Sequence, residues 1–227
     1  MAKSTPTTIF FAGTDTDVGK TYVASLFAKS AHHSGVNVGV YKPVASGCRT
    51  EDGEMVADDA ISLWNSAGKP RSLDDVCPQK FSAPLAPTAA AAQAHTTVNT
   101  DLLRAGANCW DECELLIVEG VGGLLSPLAE GVLNIDLCKD FAGAKLVIVA
   151  ANRLGVIHQT LATCVAAIHQ GITPSGIILC CPQSTTDESV ATNALEIAKY
   201  TEIPILAEID FGQSEVTLDS DWYKCLN

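Results

Sequence analysis

Between Gly13 and Thr21 the chain reads GTDTDVGKT, preceded by the apolar run TIFFA and followed by YVASLFAKSA. A strand, a tight turn and a helix starting at Gly19 or Lys20 would gather free backbone N–H groups and the positive end of a helix dipole around one point, an arrangement that suits phosphate. Lys20 can neutralise phosphoryl oxygens there, and the Thr21 hydroxyl is placed to ligate Mg²⁺. The usual spacing G-x-x-x-x-G-K-[ST] is missed by one residue: Thr14 holds the place of the first glycine, and Gly13 falls one position early. Asp15 and Asp17 add negative charge where a phosphate loop has no evident use for it.

Three further segments carry groups of interest. The run ELLIVE ends in Glu119 and continues as VEGVGG, Val118 to Gly123. An apolar sheet does not bury a carboxylate without a partner, and Mg²⁺ or a core arginine would serve. The glycines behind it let backbone approach a ligand closely. KPVASG, Lys42 to Gly47, leaves the second apolar run and can aim Lys42 and Ser46 at the same crevice, although a lone loop lysine is more often solvated surface. Asp58 and Asp59 open a helix, where the dipole favours carboxylates anyway, so spacing singles out neither. His158 and His169 lie on a helical pattern without a nucleophile partner, and Ser46 lacks the G-x-S-x-G elbow of one hydrolase class.

The elements that must position these groups read as alternating strands and helices. TIFFA, VGVYKP, ELLIVEG, KLVIVAAN, SGIILCC and PILAEI are short unbroken apolar runs of the kind that a parallel sheet covers on both faces. Helical patterns are expected at about Lys20–His33, Val56–Ala67, Thr100–Trp110, Val156–His169 and Asp187–Tyr200, and FSAPLAPTAAAAQAH reads as a loop opening a short helix. The βαβα order predicts a doubly wound, mostly parallel α/β sheet carrying a variant phosphate loop, with the ligand beyond the carboxyl ends of the strands.

Residues 1–227 are expected to form a single domain, since 47% hydrophobic composition can fill a substantial core. A net charge of −12 argues against nucleic acid or an anionic membrane as partner and favours a small molecule. No apolar run approaches a membrane span and MAKSTPTT has no h-region, so a soluble, cytoplasmic protein is expected. The nine cysteines are odd in number and lie mostly in apolar segments, without a C-x-x-C pair, and read as reduced core residues and not as zinc ligands.

Taken in order, GTDTDVGKT, KPVASG, DDAISL, FSAPLAP, VEGVGGLLSPL and LGVIHQTL resemble the dethiobiotin synthetase family over nearly the whole chain, Ile9 to Ile209, with KPVASG and VEGVGG the most specific segments. The resemblance implies a homodimer with each active site near the interface, and conversion of 7,8-diaminononanoate, CO₂ and ATP to dethiobiotin, ADP and phosphate. It implies that Lys20 and the backbone from Asp17 through Val18 and Gly19 to Thr21 hold the triphosphate, with Gly120, Val121 and Gly122 beside it. Thr21, Asp59 and Glu119 would surround Mg²⁺. Thr16, Lys42 and Ser46 would hold the diamine as a carbamate, with Gly122 and Gly123 lining that pocket; Lys42, Lys20 and Thr16 are the implied catalytic group. The helix start after Leu154-Gly155 would receive the substrate carboxylate. Asp210 and Phe211 in IDFG would add contacts to the base. At the position where some members carry an adenine-contacting asparagine stands Cys180, a poorer hydrogen-bonding group, which implies relaxed use of other nucleoside triphosphates. Two other readings fit parts of the pattern. Cobalamin-precursor amide ligases share this type of loop but usually carry a glutamine-hydrolysing domain for which this chain has no room. Partitioning-type ATPase switches show an early loop lysine, and Thr14 to Val18 has none.

Overall fold

A computed structural model describes residues 5–184, 187–216 and 222–226. Six strands, β1 (Thr7–Gly13), β2 (Val38–Tyr41), β3 (Leu115–Gly123), β4 (Lys145–Ala151), β5 (Gly176–Cys180) and β6 (Ile205–Ile209), form one sheet in the order β6-β5-β4-β1-β3-β2. Every neighbouring pair runs parallel. Ile9, Phe10, Phe11 and Ala12 are consecutive and all fully buried, so β1 is covered on both faces; this is why its sequence is an unbroken apolar run and not an alternation. The longer helices are α1 (Lys20–His33), α2 (Asp58–Ser66), α3 (Pro87–Gln93), α4 (Val156–His169) and α5 (Val190–Ala198). The result is the α/β fold with a mostly parallel sheet and flanking helices that the element order predicts.

From β1 the chain moves outward to β2 and back to β3, then crosses to the other side for β4, β5 and β6. Strand order therefore reverses beside β1, and the crevice beyond the strand ends opens at the phosphate loop. The segment after β2 is not a free loop: it zips onto 76–83 through Lys42 N to Val76 O (2.8 Å), Ala45 N to Gln79 O (2.8 Å), Phe81 N to Ala45 O (2.9 Å) and Cys48 N to Phe81 O (3.0 Å). That pairing fixes where Lys42 and Ser46 leave the sheet.

Several elements differ from expectation. The helix expected over Val56–Ala67 spans Asp58–Ser66, and the one expected over Thr100–Trp110 is an α-helix, Thr100–Ala105, followed by a 3₁₀ turn, Gly106–Trp110. The helix expected from Asp187 begins at Val190, because the Asp187 carboxylate is engaged ahead of it by the amides of Ser189 (2.9 Å) and Leu154 (2.6 Å). Two antiparallel hairpins, Arg49–Glu51 with Glu54–Val56 and Pro127–Ala129 with Val132–Leu133, were not foreseen. The first turns on Asp52 and Gly53, both at positive φ (51° and 87°), the signature of a two-residue hairpin turn. All nine cysteines are free thiols; Cys225 is exposed, which corrects its expected place in the core.

Candidate active site

A cleft of about 1080 Å³ lies beyond the carboxyl ends of the strands, and the loop from Gly13 to Thr21 forms its floor. Gly19 sits at φ 90° as the N-cap of α1, a left-handed conformation that costs glycine little. A Cβ there would lie 2.7 Å from Cys180 Sγ, so the loop is pressed against the end of β5. The two acids of the loop have separate local roles. Asp15 Oδ1 accepts the Thr16 amide at 2.7 Å, which folds the turn. Asp17 is at φ 56°, a conformation that Asp and Asn tolerate better than most residues, and it faces the cleft.

Lys20 is 7% exposed, and its Nζ donates to the Asp15 carbonyl at 3.2 Å. Burial, helped by the nearby Lys42, holds its pKa below the ordinary lysine value despite the opposing pull of Glu119, Asp59 and Asp17. Lys42 is buried too, and its Nζ donates to Glu119 Oε1 and to Asp59 Oδ2, each at 2.7 Å. Burial pushes the Lys42 ammonium down, but the charges and hydrogen bonds of Glu119 and Asp59 outweigh it and leave its pKa raised. Thr21 Oγ1 donates to the same Glu119 Oε1 at 2.7 Å. Burial acts to raise Asp59; the charge and hydrogen bond of Lys42, with Thr21 and Lys20, overcome it and hold the carboxyl below its ordinary value.

Two lysines and two carboxylates thus cancel within one cluster. A divalent cation added to it would leave positive charge available to an anionic ligand. Glu119 Oε2, the other oxygen of the carboxylate shared by Lys42 and Thr21, is buried and without a hydrogen-bond partner, an orphaned acceptor.

Of the residues expected from sequence, Thr16, Asp17, Gly19, Lys20, Thr21, Lys42, Ser46, Asp59, Glu119, Val121, Gly122 and Phe211 all line the cleft. Val18 turns into the core, and Gly120 is packed on Asn134 Oδ1, where a Cβ would come within 2.5 Å. Gly123 faces the backbone of Thr14, and the Asp210 amide is held by Gln213 Oε1 at 3.1 Å; neither lines the cleft. Gly155 caps α4 at φ 96° beside the 82%-exposed Leu154, outside the cleft of its own chain, and the preceding amide of Leu154 is taken by Asp187. Cys180 is fully buried against Gly19, and its neighbours Cys181, Pro182 and Gln183 form the wall in its place.

Asn134 was not among the residues expected from sequence. Fully buried, it accepts from Val121 N at 3.0 Å and donates to the carbonyls of Val121 (2.6 Å) and Gly123 (2.7 Å), so one amide holds the whole VEGVGG turn. Ser126 Oγ completes that support by accepting from Gly123 N at 2.9 Å. Tyr22, Arg153, Ser126 and the Pro84–Pro87 segment also line the cleft. A polar residue flanked by apolar ones, as in VLNID, was the one available signal for Asn134.

The family model described as "AAA domain" matches residues 7–214. A protein of Rhodopirellula baltica named ATP-dependent dethiobiotin synthetase BioD is 40% identical over 88% of this chain and 82% of its own length. One of the same name from Bacillus thuringiensis (strain Al Hakam) is 35% identical over 92% of this chain and 85% of its own. Among solved structures, the signal recognition particle receptor FtsY of Elizabethkingia anophelis superposes with a TM-score of 0.53 at 15% identity, covering 96% of this chain and 64% of the FtsY chain. Its complex with GDP gives 0.54 at 14% identity, covering 98% of this chain and 65% of that one. At these identities FtsY is a likeness of fold alone.

Proposed function

This chain belongs to the dethiobiotin synthetase family, and from that premise we propose that it uses ATP to join CO₂ to 7,8-diaminononanoate, closing the ureido ring of dethiobiotin with release of ADP and phosphate. The observation that carries the reading is the buried Lys42 held 2.7 Å from Glu119 and from Asp59, in one cleft with Lys20 and Thr21 of the phosphate loop. It is a charge arrangement suited to bringing two anions together.

The reaction calls for that meeting. One substrate amine captures CO₂ as a carbamate, a carbamate oxygen attacks the γ-phosphoryl group, and the second amine then displaces phosphate from the mixed anhydride. Carbamate and triphosphate repel, and at an effective dielectric near 20 two unit charges about 4 Å apart oppose one another by about 4 kcal/mol. In this reading Lys42 lies between them and offsets that term, while Lys20 and the loop amides from Asp17 to Thr21 fix the phosphates in line. Thr16, Ser46 and Gly122 wall the carbamate, and Phe211 with Cys181 flanks the base.

Mg²⁺ fits the donor set. Glu119 offers an orphaned buried oxygen, and Thr21 and Asp59 supply further hard oxygen donors in the same cluster. Among the described residues no group of three or more His, Cys, Asp or Glu is placed to hold a metal, so water and nucleotide oxygens would fill the remaining positions, the usual pattern for Mg²⁺. When bound it supplies positive charge to the phosphates. Glu119 and Asp59 are oriented for it by Lys42, and Thr21 by its bond to Glu119.

The reading includes a single domain over residues 1–227, a cytoplasmic setting and a homodimer. No described helix is long and apolar enough to cross a membrane. The dimer is supported by Leu154, Val165, Ile168 and Leu195, which are 82, 66, 51 and 70% exposed on or beside α4 and α5. A neighbouring copy seated there would also give Gly155 and the start of α4 a substrate to meet. The test is phosphate release from MgATP and bicarbonate with and without 7,8-diaminononanoate, following the ureido product by mass. Product formed only with the diamine supports the reading; hydrolysis indifferent to it overturns the reading.

A further inference from the structure

The segment that follows β6 is tied to α1 at two places. The Tyr22 hydroxyl donates to the Gln213 carbonyl, and two helical turns further on Lys29 Nζ donates to the Ser214 carbonyl at 3.1 Å. Gln213 also closes the turn from inside: its Oε1 accepts from Asp210 N at 3.1 Å and its Nε2 donates to Glu215 O at 2.8 Å. What this bracket carries is Phe211 and Gly212, which line the cleft, with Phe211 60% exposed.

The position of that wall follows from the topology. Lys42 and Ser46 leave β2 at one edge of the sheet, whereas Cys181–Gln183 and Phe211 leave β5 and β6 on the far side of β1. A nucleotide whose phosphates lie on the loop after β1, with its reacting end toward Lys42, must send its base toward Phe211. Tyr22 directly follows Thr21, so the helix that grips the phosphates also grips the wall facing the base. An isolated surface phenylalanine would gain nothing from being bracketed on both sides in this way.

We propose that Tyr22 and Gln213 are positioning residues for the nucleotide: they clasp the 210–213 turn to α1 and hold Phe211 as a stacking platform for the base, in fixed register with the phosphate loop. This rests on the reading of the cleft as an ATP site. Stacking accepts any base because every base has a π-face, so the clasp governs how tightly a nucleoside triphosphate binds more than which one.

The experiment is calorimetric titration of the full chain, its Tyr22→Phe variant and its Gln213→Leu variant with MgATP and, separately, with magnesium tripolyphosphate, which has phosphates but no base. Each substitution is expected to weaken ATP by about three- to tenfold, the range of one net hydrogen bond, while tripolyphosphate affinity and kcat at saturating ATP stay at the wild-type values. Tyr22→Phe keeps the ring packing, so it remains informative where Gln213→Leu unfolds. Unchanged ATP affinity in Tyr22→Phe, or an equal loss for tripolyphosphate, overturns the clasp. If ATP affinity is unchanged while diamine-dependent turnover persists, only the clasp is lost; a wild-type chain that binds no ATP overturns the nucleotide reading along with it.

Discussion

Lys42 Nζ stands 2.7 Å from Glu119 Oε1, with side chains 4% and 1% exposed, in the wall of the cleft. Neither charge is tolerable at that depth without the other. The partnership with Asp59 is of another kind, since the Asp59 side chain is 50% exposed and water shares it. Lys42→Ala is expected to lower product formation by about 100-fold or more, the order seen when a donor aimed at developing charge is removed. It should also lower stability by about 3–5 kcal/mol, because Glu119 is left buried and unpaired. Mass-detected product and thermal unfolding check the two halves separately, and full turnover in the variant would remove Lys42 from the chemistry.

Glu119→Gln keeps the shape of the side chain and the acceptor for Thr21 and Lys42, but removes the charge. Mn²⁺ binding to the variant, followed by electron paramagnetic resonance, should weaken by about tenfold or more, the order found for perturbed metal shells. Retained Mn²⁺ affinity would place the cation elsewhere.

Lys20 titrates below the ordinary lysine value of 10.5 because it is buried. The folded chain therefore binds that proton less tightly than the unfolded chain, so the charged lysine costs stability at neutral pH, and the cost is relieved as pH rises through the folded pKa toward 10.5. Binding runs the other way, since phosphate needs the charged form. The alkaline limb of kcat/KM for ATP, which reports the free enzyme, should fall below 10.5, and the limb of kcat should lie at higher pH because bound phosphates favour the ammonium. A kcat/KM limb at or above that value would contradict the burial argument.

The sheet and the phosphate loop were legible because both depend on local pattern: strands covered on two faces leave unbroken apolar runs, and GKT lies one short turn beyond such a run and opens a helix. At the base end of the cleft only Phe211 was expected, through the resemblance; Cys181, Pro182 and Gln183 were not, because they meet it only through the placement of β5 and β6. Cys180 shows the same limit at one residue. Sequence order gave its neighbourhood, but the pleat turns its Sγ under Gly19 and leaves the cleft to Cys181. The hairpins were too short to show an alternation. Thr21, Glu119 and Lys42 were each visible as candidates; their sharing of one carboxylate oxygen was not.

Asp17 faces the cleft from a left-handed backbone conformation that Asn adopts as easily, so Asp17→Asn changes charge with little change in shape. If the carboxylate offsets the charge of a cationic diamine, the variant should show a raised KM for 7,8-diaminononanoate with its melting temperature unchanged. Steady-state kinetics with varied diamine at saturating ATP decides it, and an unchanged KM would leave Asp17 a purely conformational role.

Asn134 touches no expected ligand, yet the turn that carries Glu119 and Gly122 depends on it. Its side chain satisfies the Val121 amide and the carbonyls of Val121 and Gly123, groups that have turned away from neighbouring strands to form the cleft wall. Asn134→Ala would strand these buried groups at a cost of about 3 kcal/mol. If the turn then relaxes, Glu119 shifts relative to Lys42 and Thr21, so turnover should fall by more than the lost stability explains at a temperature where the variant is fully folded. Asn134→Asp separates the two effects: it keeps an acceptor for Val121 N but presents a carboxylate to two carbonyls, and should be the worse of the two variants. If both variants stay fully active when folded, the turn is held by Ser126 and the backbone alone.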